Sequence, residues 1–595
     1  MAREYDRRNL DFILKEVFDT ASLCNYPRYA DYTPDMFDMV LDSADAIAEK
    51  YLRPIYVDSD RKAAELVDGV VHVHPGIEPY MKEMGESGMI GCTFDIEHGG
   101  QQVPSMIGGA HEFIRGAAHN SAVMFTGLSH GAAHLIASFG SKELADTYVP
   151  NMLSGKWAGT MCLTEPQAGS SLNDASTSAK DLGDGTYAIK GQKIFISGGD
   201  NHFSENIIHL VLARLEGAPA GTKGISLFVV PKKRIENGTL VNNEVVSLGV
   251  YHKMGQKATP ALHLSFGDKG NSIGYLVGEP NKGLSYMFQM MNEARLGVGM
   301  GGAYIASAAY HASKQYANER AQGRLLTNKD PNTPPTLIKN HPDVQRMLYF
   351  QKAIVEGSMG LLFQCFMWDD LAKSLEGEEK KEAQMMLDLM TTVAKTYPAE
   401  MGILAVNQGL QVLGGYGYTE DFPLEQMARD VRIMSIYEGT TGIHGLTLLG
   451  RGIPANNGAA LQVLGKLVYA DIAVAKGHER IAKYAAMLEK ELENLTQVTM
   501  HKLGFAMKGE IEVFLADSTL YMELFGLITV AWQWLKQGHV AAAALAKGGL
   551  SAEDEAFYKD KIHTMKFFYH YEVPKALGLS TRLMDEEVLT IFDHK

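Results

Sequence analysis

The chain has 595 residues, 46% hydrophobic and 21% charged, the proportions of a soluble globular protein long enough for about three or four domains. Its net charge of -15 argues against a surface built for nucleic acid or anionic membranes, since both reward basic patches. Cys24, Cys92, Cys162 and Cys365 are scattered without a C-x-x-C pair, which points to neither a disulfide framework nor a cysteine metal site and fits a reducing cytoplasm.

The first residues lack the apolar core of a secretory signal and carry acids that a transit peptide would avoid. Residues 1–155 read as an N-terminal helical domain, with apolar spacing at Phe12, Ile13 and Val17 and again at Phe37, Val40, Leu41, Ala44 and Ile47. From 156 to 283 the pattern turns to β-branched runs at 186–189, 194–197, 207–212, 225–230 and 261–266, with a hairpin signal at Asp184-Gly185. Residues 284–450 return to long helices, predicted over 287–320, 341–375 and 380–413, which together mean a bundle. After the break Gly452 to Gly458, residues 451–595 open a further helical domain, in which Ser551 marks a helix start. The apolar stretch 520–535 includes Glu523, is short for a membrane span, and is expected to be a buried helix.

Four segments carry chemistry. Met161 to Ser171 leaves a strand through a loop of small and hydroxyl residues, suited to a polar ring edge or a phosphate, or equally to an ordinary turn. Lys193 to Gly199 is a second hydroxyl loop whose Phe195 could stack on a planar ligand or fill a core. Gln411 to Gly417 follows a helix, where glycines could meet a pyrophosphate or simply end the helix. In Ser435 to His444, Glu438 sits between Tyr437 and Gly439, before Thr440 and Thr441, either of which can cap the next helix. A Glu deprived of solvent becomes a stronger base, although the same charge also suits the first turn of a helix.

Two other matches are rejected. Gly297 to Gly302 fits the dinucleotide fingerprint G-x-G-x-x-G, but it lies inside a predicted helix with no preceding strand, so small residues for close helix packing are expected. His111-Glu112 lacks the second histidine of a zinc protease, and no metal site is expected.

In this order and spacing, M-C-L-T-E-P-Q-A-G-S at 161–170, K-I-F-I-S-G at 193–198, Q-V-L-G-G-Y-G at 411–417 and I-Y-E-G-T at 436–440 resemble the acyl-CoA dehydrogenases over residues 35–450. The resemblance implies a mainly α fold with a middle β domain that is barrel-like, between an N-terminal helical domain and a four-helix bundle, here with an extra C-terminal helical domain. It implies FAD as cofactor and desaturation of an acyl-CoA between the second and third carbons. Glu438 matches the base that takes the α-proton, its backbone N–H being one donor to the enol oxygen. Thr164 and Ser197 match residues that bond the flavin ring, Phe195 an aromatic packed on it, and Met161, Leu163, Gly169, Ser170 and Thr440 further flavin contacts. Ser170, Asn292, Arg295, Tyr437 and Gly439 match substrate positions, Asn292 and Arg295 toward the CoA nucleotide. Arg320, Gln411, Gly414 and Gly415 match residues that hold the FAD of a neighbouring subunit, which implies at least a homodimer. An electron-transfer flavoprotein is the implied acceptor.

Departures from the family pattern are Ser197 for Thr, Phe195 for Trp, Asn292 for Asp and Gly442 for Gln. The alternative location of the base falls at Ala294, with Glu293 about 100° away on the helix, so the base stays with Glu438. The segment 9–17 and the C-terminal domain are similar to a large, cytoplasmic bacterial subgroup. Rival readings are an acyl-CoA oxidase, against which Ile591 to Lys595 shows no peroxisomal address, a DNA-associated homologue, and an assembly factor with vestigial catalysis.

Overall fold

The computed structural model describes residues 3–328 and 330–591, apart from the side chains at 289 and 290, so most of the C-terminal pentapeptide considered above lies outside the described residues. The chain forms two compact units, residues 37–294 and residues 1–36 with 295–595.

In the first unit, the helices Ile77–Glu86, Ser105–Ala118, Val123–Phe139 and Lys142–Leu153 precede the sheet. One hairpin, Glu65–Val67 with Val70–His72, interrupts a stretch expected to be wholly helical. Its turn is Asp68-Gly69, both at positive φ, the backbone that a two-residue hairpin loop requires.

The sheet has eight strands, of which Tyr187–Ser197, Ser272–Val277, Ile225–Pro231 and Asn206–Leu215 pair antiparallel in succession. Ser178–Asp181 then pairs with both the first and the last of these, which closes the path into the expected barrel-like form. Trp157–Cys162 runs parallel to Asn206–Leu215 on one side. The predicted runs 186–189 and 194–197 are one strand, which pairs with Ala261–Phe266. Its register shifts between Leu262 and Leu264, which pair with Ile196 and Lys193, so Ile194 and Phe195 face a single residue in a β-bulge.

The helices Gly283–Glu319, which enters the second unit at Arg295, Pro342–Ser374 and Gly377–Leu413 lie within a few residues of their predicted bounds. The Gly297 to Gly302 stripe packs helices, as expected. A Cβ on Gly299 would stand 2.0 Å from the Ala394 carbonyl oxygen, and one on Gly302 would stand 2.4 Å from that of Pro398. Pro398 has no N–H to bond the Ala394 carbonyl, and Gly299 approaches that oxygen.

The C-terminal helices are Ala459–Lys476, Ala482–Met507, Ser518–Lys547, Ala552–Tyr571 and Lys575–Leu583. Ser551 caps its helix by accepting from the Asp554 N–H. Two segments, Ala455–Lys476 and Ile511–Lys547, are long and apolar enough to cross a membrane by length and composition. The second contains the stretch expected to be buried, and Trp532 and Trp534 there are sealed inside the unit.

The N-terminal extension, expected with the N-terminal helical domain, packs in the unit that holds the C-terminal helices. Residues 1–36 cluster with 295–595, because Phe12 packs edge-on to Phe557 and Tyr558, and Tyr29 donates to Asp370 at 2.7 Å. Its Asn9 accepts from the buried Lys561 ammonium, which also donates to Glu356 at 2.8 Å.

Candidate active site

Glu438 stands in a short loop between the 3-10 turn Arg432–Ser435 and the helix Thr441–Thr447. Its φ of +53 and that of Gly439, +94, put two successive residues in left-handed backbone, which costs a non-glycine residue about 1–3 kcal/mol. Surrounding groups hold the turn there. Thr440 caps the helix, its hydroxyl accepting from the Ile443 N–H at 3.3 Å. Nε2 of His444 lies 3.1 Å from the Glu438 carbonyl oxygen, and Lys395 Nζ donates to the Gly439 carbonyl at 2.8 Å. A Cβ on Gly439 would come within 2.7 Å of His444 Nε2, so glycine is required.

Burial raises the Glu438 pKa, and the charges of Arg295 and Lys395 oppose that rise without cancelling it. Burial pulls Lys395 down to about 8 against the attraction of Glu400 and Glu438, and pulls His444 to about 3, where it is neutral at physiological pH. The group is therefore a carboxylate poised toward protonation between two cations. Tyr437 donates its hydroxyl to Met434 Sδ at 3.3 Å.

Arg295, expected toward the CoA nucleotide, lies beside Glu438. It is 7% exposed and close enough to Glu438 for the two charges to interact. It stands four residues before Gly299 on the same helix face, and that face packs on Ala394, beside Lys395. Glu293 turns to His134, whose Nδ1 is 2.9 Å from its Oε2, while Asn292 is half-buried in the other unit.

A second predicted group is gathered in one cavity of about 510 Å³, lined by Arg320, Gln411, Gly414 and Gly415 together with Tyr316, Gln322, Ile338, Tyr416 and Thr419. Gly414, at φ +60 and ψ -136, takes a conformation open in practice to glycine, and a Cβ on it or on Gly415 would meet nothing within 4 Å. The glycines thus leave backbone bare toward open space. Tyr316 belongs to no motif, and Tyr416, although it lies in the motif at 411–417, was given no role there.

In the first unit, the loop after Trp157–Cys162 is held from below. Lys193, fully buried, donates to Glu165 Oε1 at 2.8 Å and to the Leu163 carbonyl at 3.0 Å. Glu165 also accepts from the backbone N–H groups of Ser176 at 2.6 Å and Thr177 at 3.1 Å. The Ile194 N–H donates to the Thr164 carbonyl at 2.9 Å, joining the two predicted hydroxyl loops. Met161, Leu163, Thr164 and Ser197 are half-buried, and Gly169 and Ser170 are exposed.

Phe195 is no core residue. At φ +57 the bulge turns it outward, and it is 58% exposed with its ring 4.5 Å from that of Tyr251. Sequence alternation could not show this, because a bulge breaks the period on which alternation rests.

The fold and these loops define an acyl-CoA-processing flavoprotein scaffold, and comparison with known proteins agrees. Family profiles match at 35–156 (acyl-CoA dehydrogenase, N-terminal domain), 160–268 (middle domain) and 340–453 (C-terminal domain), and at 464–591 (acetyl-CoA dehydrogenase C-terminal like). The chain is 34% identical to the 3-methylmercaptopropionyl-CoA dehydrogenase of Ruegeria pomeroyi, over 92% of this chain and 93% of that one. It is 33% identical to a broad-specificity linear acyl-CoA dehydrogenase of Mycobacterium tuberculosis, over 99% and 97%. Among solved structures, a Bacillus anthracis acyl-CoA dehydrogenase complexed with FAD superposes with a TM-score of 0.75 at 20% identity, covering 96% of this chain and 91% of that one.

The chain belongs to the acyl-CoA dehydrogenase family, in the large subgroup that carries the extra C-terminal domain, and is a FAD-dependent oxidoreductase acting on acyl-CoA. The residues present fit FAD: an exposed aromatic on the bulge beside hydroxyl loops, and elsewhere a glycine-lined cavity with a guanidinium and two tyrosines.

Proposed function

We propose that the protein desaturates a saturated acyl-CoA to the trans-2-enoyl-CoA, with Glu438 as the base that takes the α-proton. The observation that carries this reading is the Glu438 carboxylate itself, held in a strained turn, partly stripped of water and flanked by two cations. A thioester α-proton is weakly acidic, so the base needs a raised proton affinity and the developing enolate needs fixed donors. Burial supplies the first, and the clamped turn fixes the orientation of the Glu438 peptide for the second. The chemistry that FAD supplies when bound is acceptance of the β-hydride.

Thr164, Ser197 and Phe195 are assigned to the flavin ring, with Met161, Leu163, Gly169, Ser170 and Thr440 around it. Arg320, Gln411, Gly414 and Gly415 are assigned to the pyrophosphate and adenosine of FAD across a homodimer. Ser170, Asn292, Tyr437 and Gly439 are assigned to the CoA thioester, and Arg295 to the charge balance of Glu438. An electron-transfer flavoprotein serves as acceptor in a bacterial cytoplasm, and the substrate belongs to β-oxidation. The names of the relatives, which span 3-methylmercaptopropionyl, butyryl and broad linear substrates, support a saturated linear chain.

The test is Glu438→Gln. The variant retains FAD and is not bleached by any of a panel of linear acyl-CoAs that bleach the wild type; normal bleaching would end the assignment. Release of hydrogen peroxide in place of reduction of a flavoprotein acceptor would make the enzyme an oxidase.

A further inference from the structure

Lys395 belongs to none of the motifs. It lies in mid-helix, the sole charged residue between Asp388 and Glu400, and it is completely buried. Burying an ammonium is costly unless it is compensated, so a lone lysine in an apolar stretch calls for an explanation. Its hydrogen bond to the Gly439 carbonyl anchors the residue that follows Glu438, while His444 holds the carbonyl of Glu438 itself. Both peptide oxygens of the left-handed turn are thus fixed by side chains from two different helices, Gly377–Leu413 and Thr441–Thr447.

The charges around Lys395 are few. Arg295 faces it from the helix Gly283–Glu319, Glu438 from the turn, neutral His444 from the following helix, and Glu400 from its own helix, one turn and a residue further on. Glu400 accepts from the Thr441 hydroxyl, and Glu523, on the helix Ser518–Lys547, adds its charge near Glu400. Two cations therefore stand against Glu438 and Glu400. A hydrogen bond to Gly439 alone needs only a neutral donor, and lysine brings a charge as well.

We propose that Lys395 is a positioning residue for the base: it locks the Glu438–Gly439 turn through the Gly439 carbonyl and, as a buried cation, keeps the Glu438 carboxylate ionised in a partly dehydrated site. The inference rests on the assignment of Glu438 as the base. Removing the cation raises the proton affinity of Glu438, so that at neutral pH a larger share of the enzyme already holds the proton it should be taking.

The experiment compares Lys395→Gln, which retains a neutral donor, Lys395→Met, which loses both donor and charge, and Lys395→Arg, which restores the charge. Each is prepared as holoenzyme and followed by the pH profile of acyl-CoA bleaching. Titration of the Glu438 carboxyl is followed separately by infrared difference spectra, its band being assigned by its loss in Glu438→Gln. In Lys395→Gln and Lys395→Met the acidic limb moves to higher pH, so the rate at the wild-type half-maximal pH falls about tenfold, and the carboxyl band persists to higher pH. Lys395→Arg brings both back toward the wild type. A limb and band unmoved in Lys395→Gln would overturn the inference while leaving Glu438 as base; bleaching by Glu438→Gln would instead remove the assignment beneath it. Should Lys395→Met fail to fold, Lys395→Gln carries the comparison. Wild-type enzyme must in addition show the Glu438 carboxylate band shift as Lys395 loses its proton at alkaline pH, and its absence overturns the proposal.

Discussion

Lys193 and Glu165 form an ion pair at 2.8 Å whose side chains are 0% and 1% exposed, directly beneath the loop that bears Thr164. The pair joins the fifth residue of one hydroxyl loop's motif to the first of the other, and each half has further partners: the Leu163 carbonyl for the ammonium, and two backbone N–H groups for the carboxylate. Breaking one half of a buried pair leaves an uncompensated charge, at a cost of about 3–5 kcal/mol. Lys193→Met is therefore expected to lower the thermal midpoint sharply and to release FAD, both read by a melt followed at the flavin absorbance. Unchanged melting with full flavin would show that the pair does not support the loop.

The contact of Gly299 with Ala394 gives a prediction free of any functional assignment. A methyl at Gly299 would stand 2.0 Å from a backbone oxygen, which no rotamer change can relieve. Gly299→Ala should force the helices Gly283–Glu319 and Gly377–Leu413 apart and cost about 1–3 kcal/mol or more. Gly465→Ala, where a Cβ meets nothing within 4 Å, is the matched control in a helix and should melt at or slightly above the wild type, since alanine favours the helix. Equal midpoints for the two variants would contradict the packing described.

These two cases mark how far the sequence reached. The three long helices, the barrel-like domain and the packing role of Gly297 to Gly302 follow from periodicity and from glycine chemistry, which are local properties. The hairpin at 65–72 escaped because its strands are three residues long, and its Asp68-Gly69 turn lay in a stretch judged by helical spacing. Phe195 was undecided because the bulge exists only in pairing with Ala261–Phe266. Lys395 was invisible because its partner Gly439 lies 44 residues away, although one charge inside an otherwise uncharged helical run was a signal that could have been read. The contacts of residues 1–36 with 295–595 are long-range, and no local pattern encodes them.

The cavity around Arg320 and Gly414 yields a binding prediction that rests on its assignment to FAD. A charge-assisted hydrogen bond contributes about 1.5–3 kcal/mol, so Arg320→Ala should weaken FAD binding by about tenfold or more. Gly414→Ala forces an alanine into a backbone region that costs about 1–3 kcal/mol and should add a fold defect to the same loss. Dialysis against fixed free FAD, followed by the ratio of flavin to protein absorbance, measures both. Wild-type retention in Arg320→Ala would remove that residue from the cofactor site.

Acid should unfold the protein through groups outside the proposed active site. His119 and His209 are buried, and burial lowers each to about 3. His119 lies between the Ser59 hydroxyl, 2.9 Å from Nε2, and the Ala122 N–H, which donates to Nδ1; that nitrogen cannot also carry a proton without losing the bond. In the unfolded chain both rings take up protons near pH 6.5, so between about 6.5 and 3 the unfolded state binds more protons and stability falls as pH falls. The slope is about 1.4 kcal/mol per pH unit for each histidine. Glu165 adds to it lower down: burial alone would raise it, but Lys193 and its N–H donors hold it at about 2, so its contribution, fully present above about 4.5, is lost as pH falls toward 2. Denaturant midpoints measured from pH 7.5 to 4 should therefore decline continuously from just below neutrality, and His209→Gln should flatten part of that decline. A stability flat down to pH 4.5, falling only where carboxylates titrate, would show that the histidines are not held neutral by the fold.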